Sequence, residues 1–423
     1  MPLRGEFMPP GDKSISHRLV LMSILADGEM NVSGLSDCDD VKTSLEIFRA
    51  LGGEAKGGGS RWTLKGLAAD NLALDPEKLI DLDCGNSATT MRLGCGLLAG
   101  LPGSFVLGGD EQLRRRPMER VADPLRQMGA GVETASGRAP VQLRGGKLHG
   151  IEYINNDASA QIKGAVLLAG LSASGSTSVI EPMPTRDHTE RMINYFGGRV
   201  VADGLKLEIF PGRLTLTDDF YVPGDPSAAA YFLTAAALVP DSAVTAKNML
   251  LANARIGFLK ILNRMGANID INLEQEKPDS NGRVAVEYNG KLTATEITSE
   301  EIPSVIDEIP ILALAAAHAE GTTVFRQVRE LRLKETDRLT GIKHQLGALG
   351  VRVKVENDDL FVQGPTKIIL PDSLDSGGDH RMAMMLHIAA LVAKANVPVL
   401  GDESIVISYP TFKRDMEKLY SPA

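Results

Sequence analysis

Aromatic side chains are scarce in this chain of 423 residues, which has a single tryptophan and only 4% Phe, Trp and Tyr. Apolar residues nevertheless make up 43% of the sequence, so Leu, Ile, Val, Ala and Met must fill the interior. The length exceeds one ordinary core and predicts two domains of about 200 residues each. The 43 glycines predict many tight turns between short elements.

Cysteine is also rare, with only Cys38, Cys84 and Cys95. An odd number without C-x-x-C spacing fits neither a disulfide framework nor a zinc site, and it predicts reduced, buried thiols in a cytoplasmic protein. The N-terminus has no apolar signal-peptide region, and no run approaches about 18 apolar residues, so we expect no membrane partner. A net charge of −9 argues against nucleic-acid binding, and an anionic substrate would need a local basic cluster.

One pattern recurs six times: an Ala- and Leu-rich helix pattern, a small turn and a short β-branched strand pattern. The turns begin at Leu25, Leu98, Leu171, Leu238, His318 and Val392. A spacing of roughly 70 to 80 residues suits a compact unit that contains βαβ. The segment Val222-Pro223-Gly224-Asp225-Pro226 separates three units from three, which predicts a duplicated α/β architecture.

A second pattern keeps the same spacing, because five amphipathic helix patterns end in a glycine that precedes a strand pattern. These glycines are Gly52, Gly129, Gly197, Gly266 and Gly350. Glycine at this place predicts a left-handed helix cap. The sixth helix pattern, Phe412 to Leu419, runs into the C-terminus, and we expect residues 2–8 to supply its missing strand. The chain would then cross between the two domains twice.

Five segments are candidates for binding an anion: residues 10–18, 83–92, 114–118, 332–338 and 378–384. Three of them open a helix pattern, where free backbone N–H groups favour an anion, and Arg can grip phosphate with two parallel hydrogen bonds. Each has a plainer interpretation. Ser14 would be an ordinary cap, the arginines 114–116 a solvated surface, and the segment 332–338 a surface helix whose Lys334 and Arg338 share one face.

Asp307 and Glu308 precede an intensely apolar helix pattern, Ile309 to Ala317. They could simply cap that helix, or a carboxylate beside apolar surface could act as a base. The candidate segments fall in different repeats of both halves. That distribution would suit two anionic substrates bound between two domains.

Six motifs together resemble the 5-enolpyruvylshikimate-3-phosphate synthase family. They are K-S-I-S-H-R, N-S-A-T-T-M-R, R-R-P-M, S-A-Q-I-K, L-K-E-T-D-R and D-H-R-M-A-M, in order along the chain. The resemblance implies an α/β fold with two similar domains, each of three βαβαββ repeats, in an inside-out α/β barrel. It implies one domain at residues 13–222 and another at 1–12 and 223–423, with hinges near 12–13 and 222–225.

The resemblance also implies a reaction. The enolpyruvyl group of phosphoenolpyruvate would pass to the 5-hydroxyl of shikimate 3-phosphate, with release of phosphate, through a tetrahedral intermediate. This is a step of the shikimate pathway towards chorismate and the aromatic amino acids. Family members close around shikimate 3-phosphate, need no metal or organic cofactor, and are expected to be monomers.

Site residues carried over from the family motifs fall into three sets. Shikimate 3-phosphate would be held by Lys13, Ser14, Arg18, Ser159, Ala160, Gln161, Arg186, Asp307 and Lys334. Phosphoenolpyruvate would be held by Lys13, Ala88, Arg116, Gln161, Arg338 and Arg381. Catalytic roles would fall to Lys13, Asp307, Lys334 and Glu335. Asp307 would accept the hydroxyl proton, and either Lys13 or Glu335 would protonate the methylene carbon.

Two positions depart from many family members. Ala88 stands where a glycine is common, and Ile407 stands where some members have a lysine before the segment Ser408-Tyr409-Pro410. With T-R-D-H-T-E at residues 185–190, they resemble the class II subclass that tolerates glyphosate, so weaker glyphosate binding is expected.

Two other functions stay open from the sequence. The sister transferase that acts on UDP-N-acetylglucosamine shares the repeat fold, but it usually has Lys-Asn where this chain has Lys13-Ser14. A non-catalytic anion-binding protein on the same fold is the second alternative. The choice of acceptor separates the two transferases, and phosphate release separates an enzyme from a binding protein.

Overall fold

A computed structural model describes residues 2–67, 78–217, 219–276 and 279–420. The chain forms two compact units, Gly11–Val222 and Met1–Pro10 with Pro223–Ala423, which we call the first and second domains. The first domain begins at Gly11, two residues before the predicted boundary. A Cβ atom on Gly11 would lie 1.7 Å from the carbonyl oxygen of Gly34, so this glycine is packed against the first domain.

The helices of the first domain follow the predicted pattern. They are α1 (Lys13–Met22), α2 (Asp39–Ala50), α3 (Ala88–Ala99), α4 (Glu111–Arg115), α5 (Glu119–Gln127), α6 (Ala160–Gly170) and α7 (His188–Tyr195). Helix α3 packs against α1 and α6, and all three are buried over most of their surface. A Cβ on Gly96 would lie 2.2 Å from the Ala165 carbonyl oxygen, so α3 and α6 can approach this closely only because residue 96 is glycine.

Among the described residues, the first domain also has three four-stranded sheets, and the strands of all three are arranged in the same way. They are β17 (Asp219–Tyr221), β3 (Glu29–Ser33), β5 (Arg61–Lys65) and β4 (Glu54–Gly58); β6 (Leu79–Asp83), β7 (Gly103–Gly108), β9 (Arg138–Gly145) and β8 (Gly131–Ala135); and β11 (Glu152–Ile154), β13 (Thr177–Ile180), β15 (Lys206–Phe210) and β14 (Arg199–Asp203). The first two strands of each are parallel and the others antiparallel, which is the arrangement of a βαβαββ repeat.

Short two-stranded parallel sheets lie between the repeats. They are β2 (Ala26–Asp27) with β16 (Leu214–Thr215), and β10 (Leu148–His149) with β12 (Ala173–Ser174). Because β17, the last strand of the first domain, pairs with β3 of its first repeat, the three repeats close into a cycle.

The second domain repeats the plan with fewer strands. Its helices are α8 (Pro226–Leu238), α9 (Gly257–Arg264), α10 (Ile302–Val305), α11 (Ile309–His318), α12 (Arg338–Ala348), α13 (His380–Val392) and α14 (Phe412–Tyr420), with 3₁₀ helices at Arg329–Leu333 and Asp402–Ile407. Helices α8, α11 and α13 pack against one another. Every residue of α8 is buried, as an all-round apolar helix requires.

In the described part of the second domain there are two sheets of four strands and one sheet of two strands. They are β1 (Arg4–Phe7), β18 (Ala243–Leu250), β20 (Asn281–Glu287) and β19 (Asn268–Gln275); β21 (Glu296–Ile297), β22 (Gly321–Phe325), β24 (Asp359–Gly364) and β23 (Arg352–Glu356); and β25 (Leu374–Asp375) with β26 (Val399–Leu400). Within the described residues, the sixth repeat therefore ends at α14 without a closing hairpin.

The predicted place of the N-terminal strand was wrong. It leads the fourth repeat, because β1 pairs in parallel with β18, Arg4 lying opposite Ala243. The reason is apolar packing, since the ring of Phe7 lies edge-on to Phe232 of α8 with their centroids 5.2 Å apart. Helix α14 of the sixth repeat packs against the same strand.

The two local patterns were predicted correctly. All five cap glycines have positive φ, between 85° and 103°, and each follows a helix. Each of the six predicted turns lies between a helix and a strand: α1 and β3, α3 and β7, α6 and β13, α8 and β18, α11 and β22, and α13 and β26. Two of them also contain a two-residue strand that the sequence did not predict, β2 in the first and β12 in the third. No helix among the described residues is long and apolar enough to cross a membrane.

Candidate functional site

The start of α1 brings together the first predicted site residues. Asp12 is the N-cap, and its carboxylate accepts a hydrogen bond from the Ile15 backbone N–H at 2.9 Å. The interpretation of Ser14 as the cap was therefore wrong. Lys13 Nζ lies 2.8 Å from a carboxylate oxygen of Asp40 on α2, so the lysine is held at the helix start by an ion pair.

Arg18 lies one turn further along α1 and is buried. Its Nε donates to Thr189 Oγ1 at 2.8 Å, and its Nη1 donates to the Ser14 carbonyl oxygen at 3.0 Å. Thr189 belongs to α7, and the half-buried Arg186 lies in the segment just before that helix. Arg18 is therefore hydrogen-bonded to the same stretch of chain that carries Arg186.

The starts of α3 and α6 carry a second group of predicted site residues. Ser87 caps α3, and Ala88 is its buried first residue. Gln161 Nε2 donates to Thr89 Oγ1 at 2.9 Å, while its Oε1 accepts a hydrogen bond from Arg92. Ser159 is the N-cap of α6, followed by Ala160 and Gln161 in the first turn.

The sequence prediction missed Arg92, although it is the one cation in the N-S-A-T-T-M-R motif. Its side chain is buried, and its Nη2 donates to the Pro117 carbonyl oxygen at 2.9 Å. That bond ties α3 to the residue after Arg116. We call Lys13, Arg18, Arg92, Arg116 and Gln161 the first-domain cluster.

The three consecutive arginines divide between the two interpretations. Arg114 and Arg115 are exposed, and Arg115 pairs with Glu111 one turn away on α4. Arg116 ends that helix and is buried. Only Arg116 is therefore placed as a predicted binding residue would be.

The second domain gathers three cations around one carboxylate. Asp307 Oδ1 lies 3.5 Å from Lys334 Nζ, 3.7 Å from an Arg338 Nη1 and 3.9 Å from Arg381 Nε. Asp307 stands one residue before the N-cap of α11, Glu308, whose own carboxylate accepts a hydrogen bond from Ser227 Oγ. Asp307 thus faces cations, which the helix-cap interpretation did not predict.

The predicted helical register of Lys334 and Arg338 was wrong. Lys334 is the C-cap residue that follows the 3₁₀ helix Arg329–Leu333, and α12 begins only at Arg338. Asp337 stops a continuous helix by capping α12, accepting from the Thr340 N–H at 3.0 Å. The two cations nevertheless converge on Asp307, because the bend between the helices turns both side chains towards it.

Arg338 is the most enclosed of these cations, with 1% of its side chain exposed. Its Nε donates to Asp379 at 2.9 Å, and its Nη2 donates to Glu335. Asp379 also caps α13 by accepting from the Arg381 N–H at 2.8 Å. Glu335 is therefore the ion-pair partner of a buried arginine. We call Asp307, Lys334, Glu335, Arg338, Asp379 and Arg381 the second-domain cluster.

The electrostatics of the second-domain cluster separate its lysine from its arginines. Burial lowers the pKa of Lys334 by more than the nearby Asp307 raises it. Burial lowers the pKa values of Arg338 and Arg381, but the combined attraction of the surrounding acidic groups, led by Asp379 for Arg338 and by Asp307 for Arg381, raises them above the usual range. Of these three cations, Lys334 is therefore the one that holds its proton less strongly than usual, whereas the arginines stay charged.

The two clusters offer different chemistry. The first-domain cluster presents cations and amide groups at the starts of three helices, which suits a phosphate or carboxylate ligand. The second-domain cluster holds a carboxylate beside a lysine of lowered pKa, which suits proton transfer. Among the described residues, no group of three His, Cys, Asp or Glu side chains is arranged to hold a metal ion.

Comparisons with known proteins agree on one family. The family model of EPSP synthase (3-phosphoshikimate 1-carboxyvinyltransferase) matches residues 1–416. A 3-phosphoshikimate 1-carboxyvinyltransferase of Geobacillus kaustophilus is 43% identical over 422 residues, covering 99% of this chain and 98% of the relative. The enzyme of that name from Bacillus licheniformis is 41% identical over 427 residues, covering 100% of this chain and 98% of the relative.

Solved structures give the same result for the fold. EPSP synthase from Acinetobacter baumannii superposes with a TM-score of 0.86 at 35% identity, covering 99% of this chain and 96% of that one. The enolpyruvyl transferase NikO from Streptomyces tendae superposes with a TM-score of 0.77 at 21% identity, covering 99% and 95%. The second likeness supports the fold alone.

Proposed function

Because the chain belongs to the EPSP synthase family, we propose that its two clusters hold the two substrates of that family's reaction. The chain transfers the enolpyruvyl group of phosphoenolpyruvate to the 5-hydroxyl of shikimate 3-phosphate and releases phosphate. This is 3-phosphoshikimate 1-carboxyvinyltransferase activity, a step of the shikimate pathway.

The observation that supports the site assignment best is the convergence of Lys334, Arg338 and Arg381 on Asp307. Transfer to a hydroxyl needs a group that accepts its proton, and Asp307 is a carboxylate held by cations from two other segments. In our proposal Asp307 and Lys334 contact the ring hydroxyls of shikimate 3-phosphate, and Asp307 accepts the proton of the 5-hydroxyl.

The phosphate of shikimate 3-phosphate falls to the first domain in this proposal. Ser14, Arg18 and Arg186 contribute from α1 and the segment before α7, and Ser159, Ala160 and Gln161 contribute the start of α6. Ala160 offers only its backbone. Support comes from the free N–H groups at a helix start, which together with arginine form a common phosphate site.

Phosphoenolpyruvate is held by Lys13, Arg116 and Gln161 from the first-domain cluster and by Arg338 and Arg381 from the second. Protonation of its methylene carbon makes the neighbouring carbon cationic, and the 5-hydroxyl oxygen attacks that carbon. The tetrahedral intermediate then loses phosphate by cleavage of the carbon–oxygen bond, and its methyl group loses a proton to an active-site base, which restores the methylene group in the product. Fixed cations stabilise the charge that develops on the departing phosphate.

Two residues remain candidates for protonating the methylene carbon, Lys13 and Glu335. Both are held in ion pairs, Lys13 with Asp40 and Glu335 with Arg338. Lys334 is a further candidate for relaying protons, since its pKa is lowered. All these transfers use side chains of the chain itself, so the proposed mechanism requires no metal or organic cofactor.

We also propose that the chain belongs to the glyphosate-tolerant class II subclass. Ala88 is the first residue of α3, next to Thr89, which accepts from Gln161. In the proposal its methyl group restricts the phosphoenolpyruvate pocket against the bulkier inhibitor. The variant Ala88→Gly should bind glyphosate more tightly, and a low-micromolar inhibition constant for the wild type would contradict the proposal.

A cytoplasmic monomer is the state we propose. The proposed cytoplasmic location is supported by the three cysteines, which are all free and buried. Burial raises the pKa of Cys38 to about 11 and that of Cys95 to about 12, so these thiols are protonated and unreactive at neutral pH. Light scattering across a range of concentrations tests the oligomeric state.

The deciding experiment measures phosphate release from phosphoenolpyruvate with shikimate 3-phosphate and, in parallel, with UDP-N-acetylglucosamine. We expect turnover with shikimate 3-phosphate alone. Turnover only with the nucleotide sugar would keep the fold and change the substrate. Tight binding of shikimate 3-phosphate without any phosphate release would make the chain a binding protein.

A further inference from the structure

A fully buried lysine lies behind the first-domain cluster. Lys163 is in the first turn and a half of α6, and 1% of its side chain is exposed. Its Nζ donates to Glu181 Oε2 at 2.9 Å and to Glu190 Oε1 at 2.8 Å. One ammonium group therefore joins two carboxylates that are nine residues apart in the chain.

These two glutamates bound one segment, residues 181–190. Glu181 directly follows β13, and Glu190 lies in the first turn of α7. Thr185 Oγ1, inside the segment, donates to Glu181 Oε1 at 2.5 Å. Lys163 thus fixes both ends of the segment that carries Arg186, while Thr185 fixes its middle.

The same segment holds Arg18. Thr189, the neighbour of Glu190, accepts the hydrogen bond from Arg18 Nε at 2.8 Å. The contact is tight, because a Cβ on Gly164, the neighbour of Lys163, would lie 2.8 Å from Thr189 Oγ1 and 3.7 Å from Arg18 Nη2. A displacement of α7 relative to α6 would therefore move the arginine as well.

Stability alone does not account for this buried group of charges. Removing a lysine and two carboxylates from water costs more than well-packed apolar residues of the same size would. Burial also raises the pKa of Glu190, and its pairing with Lys163 only partly offsets that. What the ionic group provides and an apolar one does not is a fixed direction for each partner.

We propose that Lys163 is a positioning residue for the phosphate-bearing substrate. Its bonds to Glu181 and Glu190 hold the segment 181–190 so that Arg186, and Arg18 through Thr189, are oriented before the ligand binds. The inference rests on the proposed roles of Arg18 and Arg186 in binding shikimate 3-phosphate. It predicts an effect on that substrate that phosphoenolpyruvate does not share.

The test compares Lys163→Met with Leu168→Ala, a cavity variant in the buried core on the same helix. Steady-state kinetics give kcat and both KM values, calorimetry gives the Kd for shikimate 3-phosphate, and thermal unfolding gives Tm. We expect Lys163→Met to raise KM and Kd for shikimate 3-phosphate by about 10- to 100-fold, with KM for phosphoenolpyruvate nearly unchanged. Leu168→Ala should lower Tm without that selectivity.

Two further variants keep the test decisive if Lys163→Met does not fold. Glu190→Gln keeps the size of the side chain, and Thr189→Val removes only the acceptor for Arg18. Both should show the same selective loss of shikimate 3-phosphate binding. A parallel rise in both KM values, or none, would overturn the positioning role.

The outcomes separate this inference from the proposed function. If the wild type binds shikimate 3-phosphate but does not turn it over, the proposed reaction fails while the Kd comparison still tests Lys163. If the wild type turns over and Lys163→Met binds shikimate 3-phosphate as tightly as Leu168→Ala does, the reaction stands and the positioning role is wrong.

Discussion

The two domains share a repeat but surround their arginines differently. In the first domain, Arg18 donates to a threonine hydroxyl and Arg92 to the amide oxygen of Gln161. In the second domain, Arg338 donates to the carboxylates of Asp379 and Glu335. Within the first-domain cluster, Lys13 does have a carboxylate partner, Asp40.

The difference suggests a division of labour. A hydrogen bond to a neutral acceptor fixes the direction of a guanidinium group, and arginine binds phosphate with two parallel hydrogen bonds. Carboxylates beside cations have shifted proton affinities, which is what acid–base chemistry requires. The first domain is therefore suited to binding phosphate, and the second to moving protons.

The largest expected effect is on catalysis, in the second-domain cluster. Asp307→Asn keeps the shape of the side chain but removes the proposed base, so kcat should fall by about 10²- to 10⁴-fold. The KM for either substrate should change much less. Phosphate-release kinetics measure both quantities.

A matched control is Asp241→Asn, an exposed aspartate in the second domain with positive φ. Asparagine tolerates that conformation, so this variant should behave as the wild type. An Asp307→Asn enzyme with normal kcat would leave the hydroxyl proton to another acceptor. It would also remove the main reason for assigning acid–base chemistry to this domain.

The next effect concerns stability and contrasts the two kinds of arginine. Arg338→Met leaves Asp379 buried beside an apolar side chain, and should lower the free energy of unfolding by about 3–5 kcal/mol. Arg18→Met removes the donors of two neutral acceptors, the Thr189 hydroxyl and the Ser14 carbonyl oxygen, at a cost of about 1–3 kcal/mol. Urea unfolding of the two variants gives the comparison.

The double variant Arg338→Met/Asp379→Leu shows where the penalty comes from. Removing Asp379 as well takes away the fully buried carboxylate that the single variant leaves without its arginine, so part of the lost stability should return, while Glu335 still lacks its partner. A double variant as unstable as Arg338→Met alone would mean that the helix cap by Asp379, not the charge, dominates.

Features that depend on neighbouring residues in the chain could be predicted from the sequence. The glycine after each amphipathic helix needed only a local rule, and Gly52 and its four counterparts all have positive φ. The family resemblance likewise named Asp307, Lys334 and Arg338 together as expected site residues, and their side chains lie close to one another in the structure. Local pattern was enough where the physical cause was also local.

Features that depend on distant partners were missed. The sequence assigned no role to Lys163, the last residue of the S-A-Q-I-K motif, because its partners Glu181 and Glu190 lie 18 and 27 residues away. The sequence placed Lys334 and Arg338 on one helix, because the cap by Asp337 is hard to distinguish from ordinary helical spacing. The N-terminal strand was misplaced because the choice of partner strand depends on the packing of Phe7 against Phe232.

A smaller effect should appear in the pH dependence of stability. Burial, more than the opposing attraction of Asp307, lowers the pKa of Lys334 below its ordinary value of 10.5. Between the folded and unfolded pKa values the unfolded chain binds more protons, so this group's contribution to stability rises with pH in that window. Below the window, both states are protonated and the contribution is constant and unfavourable.

Lys334→Gln removes that contribution. The free energy of unfolding of the wild type, minus that of the variant, should therefore increase as the pH approaches 10.5 from below. Urea unfolding of both proteins at a series of pH values measures the difference. A difference that decreases over this range would mean that Asp307 holds the lysine charged, and that Lys334 is a binding group like the arginines.

The smallest effect concerns the central helices, where the domains differ again. Helices α8, α11 and α13 contain no glycine, whereas α3 has Gly94 and Gly96. A Cβ on Gly96 would collide with the backbone of Ala165, whereas a Cβ on Gly94 would make an ordinary 3.5 Å contact with the Leu107 side chain. Gly94→Ala should therefore stabilise the first domain by about 0.5–1 kcal/mol, because alanine loses less backbone freedom on folding.

Gly96→Ala is the matched control for that prediction, since its Cβ would lie 2.2 Å from the Ala165 carbonyl oxygen. It should force α3 and α6 apart, and because Gln161 and Lys163 stand on α6, it should also weaken binding of shikimate 3-phosphate. Urea unfolding and calorimetry of the two variants distinguish a glycine required by packing from one that is not. If both variants destabilise the domain equally, close packing of α3 is required along its whole length, and the first domain depends on its glycines more than the contacts of Gly94 indicate.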